Sequence, residues 1–147
     1  MKQILPPTYL FAGLILIGGL WVFFPGPRIV AQPWNLAGLA FILLGVALNI
    51  VGDGQFKRAK TAMNPFGKPS ALVISGVFGY SRNPMYLGML LLLFGTAVLV
   101  GRATPFIVPM FLFVILNYRF VAFEEQAMLA RFGDDYLRYC TRVRRWL

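Results

Sequence analysis

One stretch of the chain, residues 76–88 (GVFGYSRNPMYLG), joins polar, basic and glycine residues to the start of an uncharged run. Pro84 suits the first turn of a helix, where its missing N–H removes no hydrogen bond. The proline disfavours helical backbone at Asn83, which is therefore the predicted N-cap. Arg82 and Asn83 are expected at a helix N-terminus, where free N–H groups and the helix dipole attract an anionic group of a ligand.

A second pair of polar residues, Glu124 and Glu125, follows the last long apolar run. A short turn at 101–104 joins this run to the run that begins at Pro84, which predicts two antiparallel neighbouring helices. Arg82 should then meet both carboxylates at one end of a helical hairpin. Two interpretations remain open from charge alone: an interfacial ion pair with the other carboxylate solvated, or a ligand site.

The composition is typical of an integral membrane protein. Of the 147 residues, 59% are hydrophobic and only 13% are charged, whereas a soluble domain has roughly a quarter charged residues. The net charge of +9 is distributed between apolar runs, which favours anionic lipid headgroups over nucleic acid as the partner. The chain has no histidine, and Cys140 is its single cysteine. An intramolecular disulfide and a Cys/His metal site are therefore excluded, and no metal is predicted.

Four uncharged stretches approach the roughly 20 residues that a membrane-spanning helix needs. The sequence predicts an all-α membrane protein whose 147 residues form a single domain with four transmembrane helices. A long cytoplasmic loop would separate the second span from the third, and its first turns would continue the second helix. Gly133 is a predicted helix stop, and RVRRWL a predicted interfacial anchor after an interfacial helix. The predicted spans are 8–25, 34–52, 84–100 and 104–123, with a C-terminal cytoplasmic segment over 124–147.

The basic residues are distributed unequally between the two ends of these predicted helices. The chain has 14 Lys and Arg residues. Only Arg28 falls in the short connection between the first and second predicted spans, and only Arg102 in the short turn between the third and fourth. The positive-inside rule therefore places both termini and the long loop in the cytoplasm, with the chain in the inner (cytoplasmic) membrane.

From about residue 50 onward, the sequence resembles the isoprenylcysteine carboxyl methyltransferase family of integral membrane enzymes, which is related to the phospholipid methyltransferases. The resemblance is carried by ALVISGVFGYSRNPMYLG, by the Glu124-Glu125 pair and by LARFGDDYLRYCTRVRRWL, in that order. The chain departs from the family pattern at three positions. Asn83 stands where many members have histidine, Val77 where proline is frequent, and Gly79 where a larger, often basic residue is usual.

The resemblance implies a cytoplasm-facing pocket for S-adenosylmethionine and a tunnel from the membrane for a lipidic or hydrophobic acceptor. The acceptor group would be a carboxylate, a thiol or an amine. Arg82 and Glu125 are the predicted catalytic residues. The predicted cofactor-binding residues are Leu72, Val73, Gly76, Arg82, Asn83, Tyr86, Leu87, Gly88, Glu124 and Glu125. The alternatives are a non-catalytic small membrane protein and an NADPH-dependent membrane reductase.

Overall fold

The computed structural model describes residues 5–60 and 70–147. All regular elements in these ranges are helical, and one isolated β-bridge joins Arg28 to Arg102. A π-helix, Leu116–Val121, connects α4 to α5 without a break. The α-helices are α1 (Pro6–Phe23), α2 (Ala37–Arg58), α3 (Pro84–Val100), α4 (Ile107–Ile115), α5 (Ala122–Phe132) and α6 (Asp134–Arg142).

Three described helical stretches are long and apolar enough to cross a membrane: Pro6–Phe23, Trp34–Arg58 and Thr104–Phe132. The helix α3 is a shorter apolar helix of 17 residues. These findings confirm the all-helical prediction. The second helix continues past the predicted span to Arg58, as expected for its polar extension. Lys2 lies outside the described residues, as do most of residues 64–70 (NPFGKPS) in the predicted long loop.

The last long helix differs from the predicted span 104–123. It continues to Phe132, so Glu124 and Glu125 lie within a helix rather than after its end. The physical reason is local, because residues 122–132 are mainly good helix formers with no glycine or proline among them. The predicted stop at Gly133 is confirmed, with a φ of 50° that ends α5.

The helices α2 and α3 pack closely through glycines. A Cβ at Gly45 would lie 2.6 Å from the carbonyl oxygen of Gly88, and one at Gly38 would lie 2.3 Å from that of Gly95. Because the obstacle is backbone on both sides, no side-chain rotation would make room. Gly88 and Gly95 thus allow the close approach of the α2 backbone to α3.

The helix α1 packs on α3 and α4, where Ile17 joins a buried cluster with Leu93, Leu112 and Phe120. Both α1 and α2 lie against α3, but they have little direct contact with each other. A crevice is left between them over α3. At the far end of the chain, Tyr136, Tyr139 and Val143 form a second buried cluster.

Candidate functional site

A cavity of about 730 Å³ opens between α1, α2, α3 and the α5–α6 segment. One end of it is polar, and the other end is an apolar arm within the crevice between α1 and α2. The polar end includes Arg82, Asn83, Tyr86, Glu124 and Glu125. The apolar arm includes Leu10, Phe11, Val46, Ile50, Met89 and Leu92.

Seven of the ten predicted cofactor-binding residues line this cavity: Leu72, Val73, Arg82, Asn83, Tyr86, Glu124 and Glu125. Gly76, Leu87 and Gly88 do not line it. Gly88 instead faces Gly45 and Asn49 on α2, and Gly76 lies against the side chain of Gln55. A binding role stays a prediction for all ten residues, and for these three the cavity offers no support.

The guanidinium of Arg82 is the centre of the polar end. Its Nη1 lies 3.2 Å from Oε1 of Glu125 and donates a hydrogen bond of 3.4 Å to the hydroxyl of Tyr136. Nη1 also contacts the sulfur of Cys140. The Nε–H group is buried and has no hydrogen-bond partner among the described residues. An unpaired buried donor is costly, so the site fits a ligand that brings an anionic or acceptor group to this nitrogen.

Glu125 is held by two arginines. Arg145 donates to both carboxylate oxygens, from Nε at 3.0 Å and from Nη2 at 2.5 Å, while Arg82 approaches from the other side. The hydrogen bond to Glu125 raises the pKa of Arg145, which therefore stays charged. A carboxylate shared in this way positions Arg82 and has little capacity left to accept a hydrogen bond from a ligand.

The chain terminus docks onto the long helix, which differs from the predicted headgroup anchor. The indole of Trp146 donates to Oδ1 of Asn117 at 3.2 Å and packs against Phe113. Arg145 likewise pairs with Glu125. The reason is that residues 143–147 follow α6 back across the bundle, where polar partners are already available. Arg142 and Arg144, in contrast, are exposed, and the interfacial anchor stays a prediction.

Asn83 occupies the N-cap position of α3, but its side chain makes no capping hydrogen bond. Its amide instead donates to the carbonyl of Arg145 at 2.9 Å, because the C-terminal segment lies beside this turn. The backbone N–H of Arg82 is tied to the same segment, donating to the carbonyl of Arg144 at 3.0 Å. The prediction of a side-chain cap was wrong, because the Asn83 side chain accepts no hydrogen bond from the first N–H groups of α3.

Glu124 accepts a hydrogen bond from the hydroxyl of Tyr86, which is buried. It is the second carboxylate of the predicted pair and is only partly exposed. The ion-pair interpretation therefore holds for Arg82 and Glu125, whereas the expected solvation of the other carboxylate does not. No other described residue donates a hydrogen bond to Glu124, so it retains acceptor capacity toward the cavity.

Replacing Tyr86 with phenylalanine should destabilise the protein by about 1–3 kcal/mol, because the partly buried Glu124 carboxylate loses its donor. Thermal unfolding in detergent, followed by circular dichroism, would measure the change. Tyr80→Phe is the matched control, since Tyr80 belongs to the same motif but its side chain is exposed. Equal unfolding temperatures for the two variants would contradict the assigned hydrogen bond.

The sequence did not identify several residues that line the cavity. Asn49 and Asp53 face it from α2, one helical turn apart, and Tyr136 and Tyr139 face it from α6. The spacing FG-x-x-Y-x-x-Y was the available signal for the tyrosines. Burial raises the pKa of Tyr136 above its usual value and that of Tyr139 to about 12. Both phenols therefore stay neutral near pH 7, and Tyr139 donates to the carbonyl of Phe78 at 2.6 Å.

Known proteins resemble most of this chain. The sequence profile of the phospholipid methyltransferase family matches residues 34–135. A protein-S-isoprenylcysteine O-methyltransferase of Schizosaccharomyces pombe is 28% identical over 117 residues, which cover 75% of this chain and 48% of the yeast protein. Protein-S-isoprenylcysteine O-methyltransferase B of Arabidopsis thaliana is 31% identical over 130 residues, or 83% of this chain and 62% of the plant protein.

A Delta(14)-sterol reductase of Mus musculus is also similar, with 29% identity over 72% of this chain and 30% of the mouse protein. The matches thus span less than two thirds of the length of each of these three relatives. No solved structure matches the chain. The family match begins at residue 34, so it includes all of α2, of which the resemblance from residue 50 onward covered only the last part. Because the profile covers more than half of the chain and includes both polar clusters, the chain belongs to the phospholipid methyltransferase family.

Proposed function

We propose that this protein is an S-adenosylmethionine-dependent methyltransferase that acts at the membrane on a small hydrophobic or lipid-anchored acceptor. The observation that carries the proposal is the two-part cavity, in which a charged end that suits a polar cofactor adjoins an apolar arm that suits a lipid chain. Membership of a family of membrane methyltransferases supports the same reaction.

The residues at the polar end fit the groups of S-adenosylmethionine. The unpaired Nε–H of Arg82 and the uncapped N-terminus of α3 would bind its carboxylate. Glu124 would accept a hydrogen bond from its ammonium or from a ribose hydroxyl. Leu72 and Val73 line the same space and would border its adenosyl part. When bound, the cofactor supplies a methyl group on a sulfonium, which is transferred by in-line displacement.

The protein's contribution to this reaction would be to position the reactants. The apolar arm between α1 and α2 would hold the hydrophobic part of the acceptor and exclude water from the reacting end. A carboxylate or thiolate acceptor needs no base. An amine acceptor releases a proton, and Glu124 is better placed than Glu125 to accept it, because two arginines already engage Glu125.

The membrane arrangement that supports this chemistry has four crossings. The helix α3 has 17 residues, at the short end of the range for a spanning helix, and it is packed between α1 and α2. The cavity then lies at the end of the bundle that carries most of the basic residues. By the positive-inside rule this end faces the cytoplasm, with the chain in the inner membrane.

A membrane reductase is the second candidate, favoured by the match to the mouse sterol reductase. NADPH and S-adenosylmethionine differ in charge, and the charges at the polar end of the cavity distinguish between them. NADPH carries several phosphate charges, and the charges of Arg82, Glu125 and Asp53 at the polar end are already engaged in ion pairs. The remaining carboxylate, Glu124, forms no ion pair among the described residues, so it favours a ligand with a cationic group over a polyanion. A non-catalytic protein would bind neither cofactor.

Calorimetric titration of the detergent-purified protein with S-adenosylmethionine, S-adenosylhomocysteine and NADPH tests the proposal. We expect the two adenosyl ligands to bind with dissociation constants on the order of micromolar and NADPH not to bind. No binding of either adenosyl ligand to a protein shown to be folded would refute the methyltransferase. Binding of NADPH alone would establish the reductase in its place.

A further inference from the structure

Two arginines face each other at the end of the bundle opposite the cavity. Arg28, between α1 and α2, and Arg102, between α3 and α4, form the antiparallel β-bridge of the structure. Hydrogen bonds flank the pair on both sides: Ile29 N–H donates to the Gly101 carbonyl at 2.9 Å, and Ala103 N–H donates to the Pro27 carbonyl at 3.0 Å.

This pattern identifies the arginines as the non-hydrogen-bonded pair of the bridge. In such pairs the Cα atoms lie only about 4.5 Å apart, and both side chains leave the same face. The turn that carries Arg102 is fixed as well. Gly101 has a φ of 69°, and a Cβ there would lie 2.4 Å from the carbonyl oxygen of Val30. The two loops thus hold two positive side chains side by side.

Like charges placed directly opposite in a β-pair are destabilising, and no carboxylate offsets these two in the described part of the chain. All five acidic residues belong to the other end of the bundle or to α6, with α3 rising roughly 25 Å between the two ends. Arg102 donates one hydrogen bond, from Nη1 to the Gly26 carbonyl at 3.2 Å. Most of the guanidinium donors therefore remain available to an anion.

The surroundings of the pair are those of a membrane interface. Phe23, Phe24, Ile29 and Trp34 are all more than half exposed at this end of the helices, and exposed aromatic residues are typical of the headgroup level of a bilayer. Binding of a free anion from water does not require exposed aromatic residues around the site, whereas the headgroup of a membrane lipid lies among such residues.

We propose that Arg28 and Arg102 together bind the phosphate of one anionic phospholipid, in the leaflet opposite the cavity. Arginine forks match phosphate oxygens well, since each can donate two parallel charge-assisted hydrogen bonds. The bound lipid would neutralise the paired charges and fasten the α1–α2 turn to the α3–α4 turn. This site is independent of the cavity and of the reaction proposed for it.

Native mass spectrometry of the full chain in detergent, titrated with phosphatidylglycerol, tests this site. Removing both charges in Arg28→Gln/Arg102→Gln should weaken the tightest lipid-binding event by about tenfold or more, since two charge-assisted contacts are lost. The matched control is Arg119→Gln/Arg131→Gln, which removes the same charge from two exposed arginines on the last long helix. We expect the control pair to keep the affinity of the unmodified protein.

Three results would overturn the proposal: equal affinity in the Arg28/Arg102 variant and the unmodified protein, an equal loss in the control pair, or displacement of the lipid by inorganic phosphate at the same concentration. The last would assign the site to a free anion. If the double variant does not fold, Arg28→Gln alone decides, because the Arg28 side chain is exposed and forms no ion pair with any described residue. Unchanged affinity in that variant would contradict the site.

Discussion

Replacing Arg82 with alanine is expected to weaken the binding of S-adenosylhomocysteine by about 100-fold, as measured by calorimetry. Among the described residues, Arg82 has a buried side-chain N–H donor that lacks a partner, and its loss removes the charge-assisted hydrogen bonds proposed for the ligand's carboxylate. Within the described part of the chain it also leaves Glu125 with Arg145 as its only basic partner, so the cavity becomes more negative where the carboxylate should bind.

Arg131→Ala is the matched control, because Arg131 is exposed on α5, outside the cavity lining. We expect it to bind the ligand as the unmodified protein does. Arg82→Lys keeps the charge but cannot supply the Nε–H of a guanidinium, and an intermediate loss is expected. If Arg82→Ala folds and binds with full affinity, the ligand's carboxylate does not lie at Arg82, and this assignment fails.

The second large effect concerns the contact of α2 with α3, where Gly45→Ala should destabilise the protein by about 2–3 kcal/mol. A Cβ at Gly45 would lie 2.6 Å from the Gly88 carbonyl oxygen and 3.0 Å from Leu92. Accommodating it requires the two helices to separate, and overpacking of this kind costs roughly 1–3 kcal/mol. Since α2 and α3 both line the cavity, the variant should also bind the ligand less tightly.

Gly54→Ala provides the comparison within the same helix. Nothing lies within 4 Å of a Cβ built at Gly54, so the substitution removes a poor helix former at no steric cost. Its stability should be unchanged or higher by about 0.5–1 kcal/mol. Thermal unfolding in detergent measures both variants. Similar effects at the two positions would show that the helices are not in backbone contact at Gly45.

The polar end of the cavity needs the C-terminal residues in addition to the stretch 76–88 that leads into α3. The carbonyls of Arg144 and Arg145 accept hydrogen bonds from the Arg82 backbone and the Asn83 side chain. The Arg145 guanidinium then holds Glu125, which in turn lies beside Arg82. The turn before α3, the long helix and the chain terminus are thus connected through one network of charges.

The sequence by itself determined the helices and the ends at which polar residues gather. The uncharged runs, Pro84 at the start of α3 and Gly133 after α5 are local signals, and each acts through the backbone preferences of a few neighbouring residues. The same is true of the meeting of Arg82 with the glutamates, because a short turn between two helices makes them antiparallel. A local pattern was enough for these features.

Only the tertiary structure decided which glutamate pairs with Arg82 and which one accepts from Tyr86. Glu124 and Glu125 are adjacent in sequence, so their side chains leave the helix in directions about 100° apart. Their partners depend on how the long helix is rotated against α3, which no local signal fixes. Contacts between distant segments also produce three other features. These are the ion pair of Arg145 with Glu125, the hydrogen bond from Asn83 to the chain terminus, and the crevice between α1 and α2. Those contacts follow from the packing of whole helices, in which backbone fit at Gly38, Gly45, Gly88 and Gly95 sets how closely α2 approaches α3.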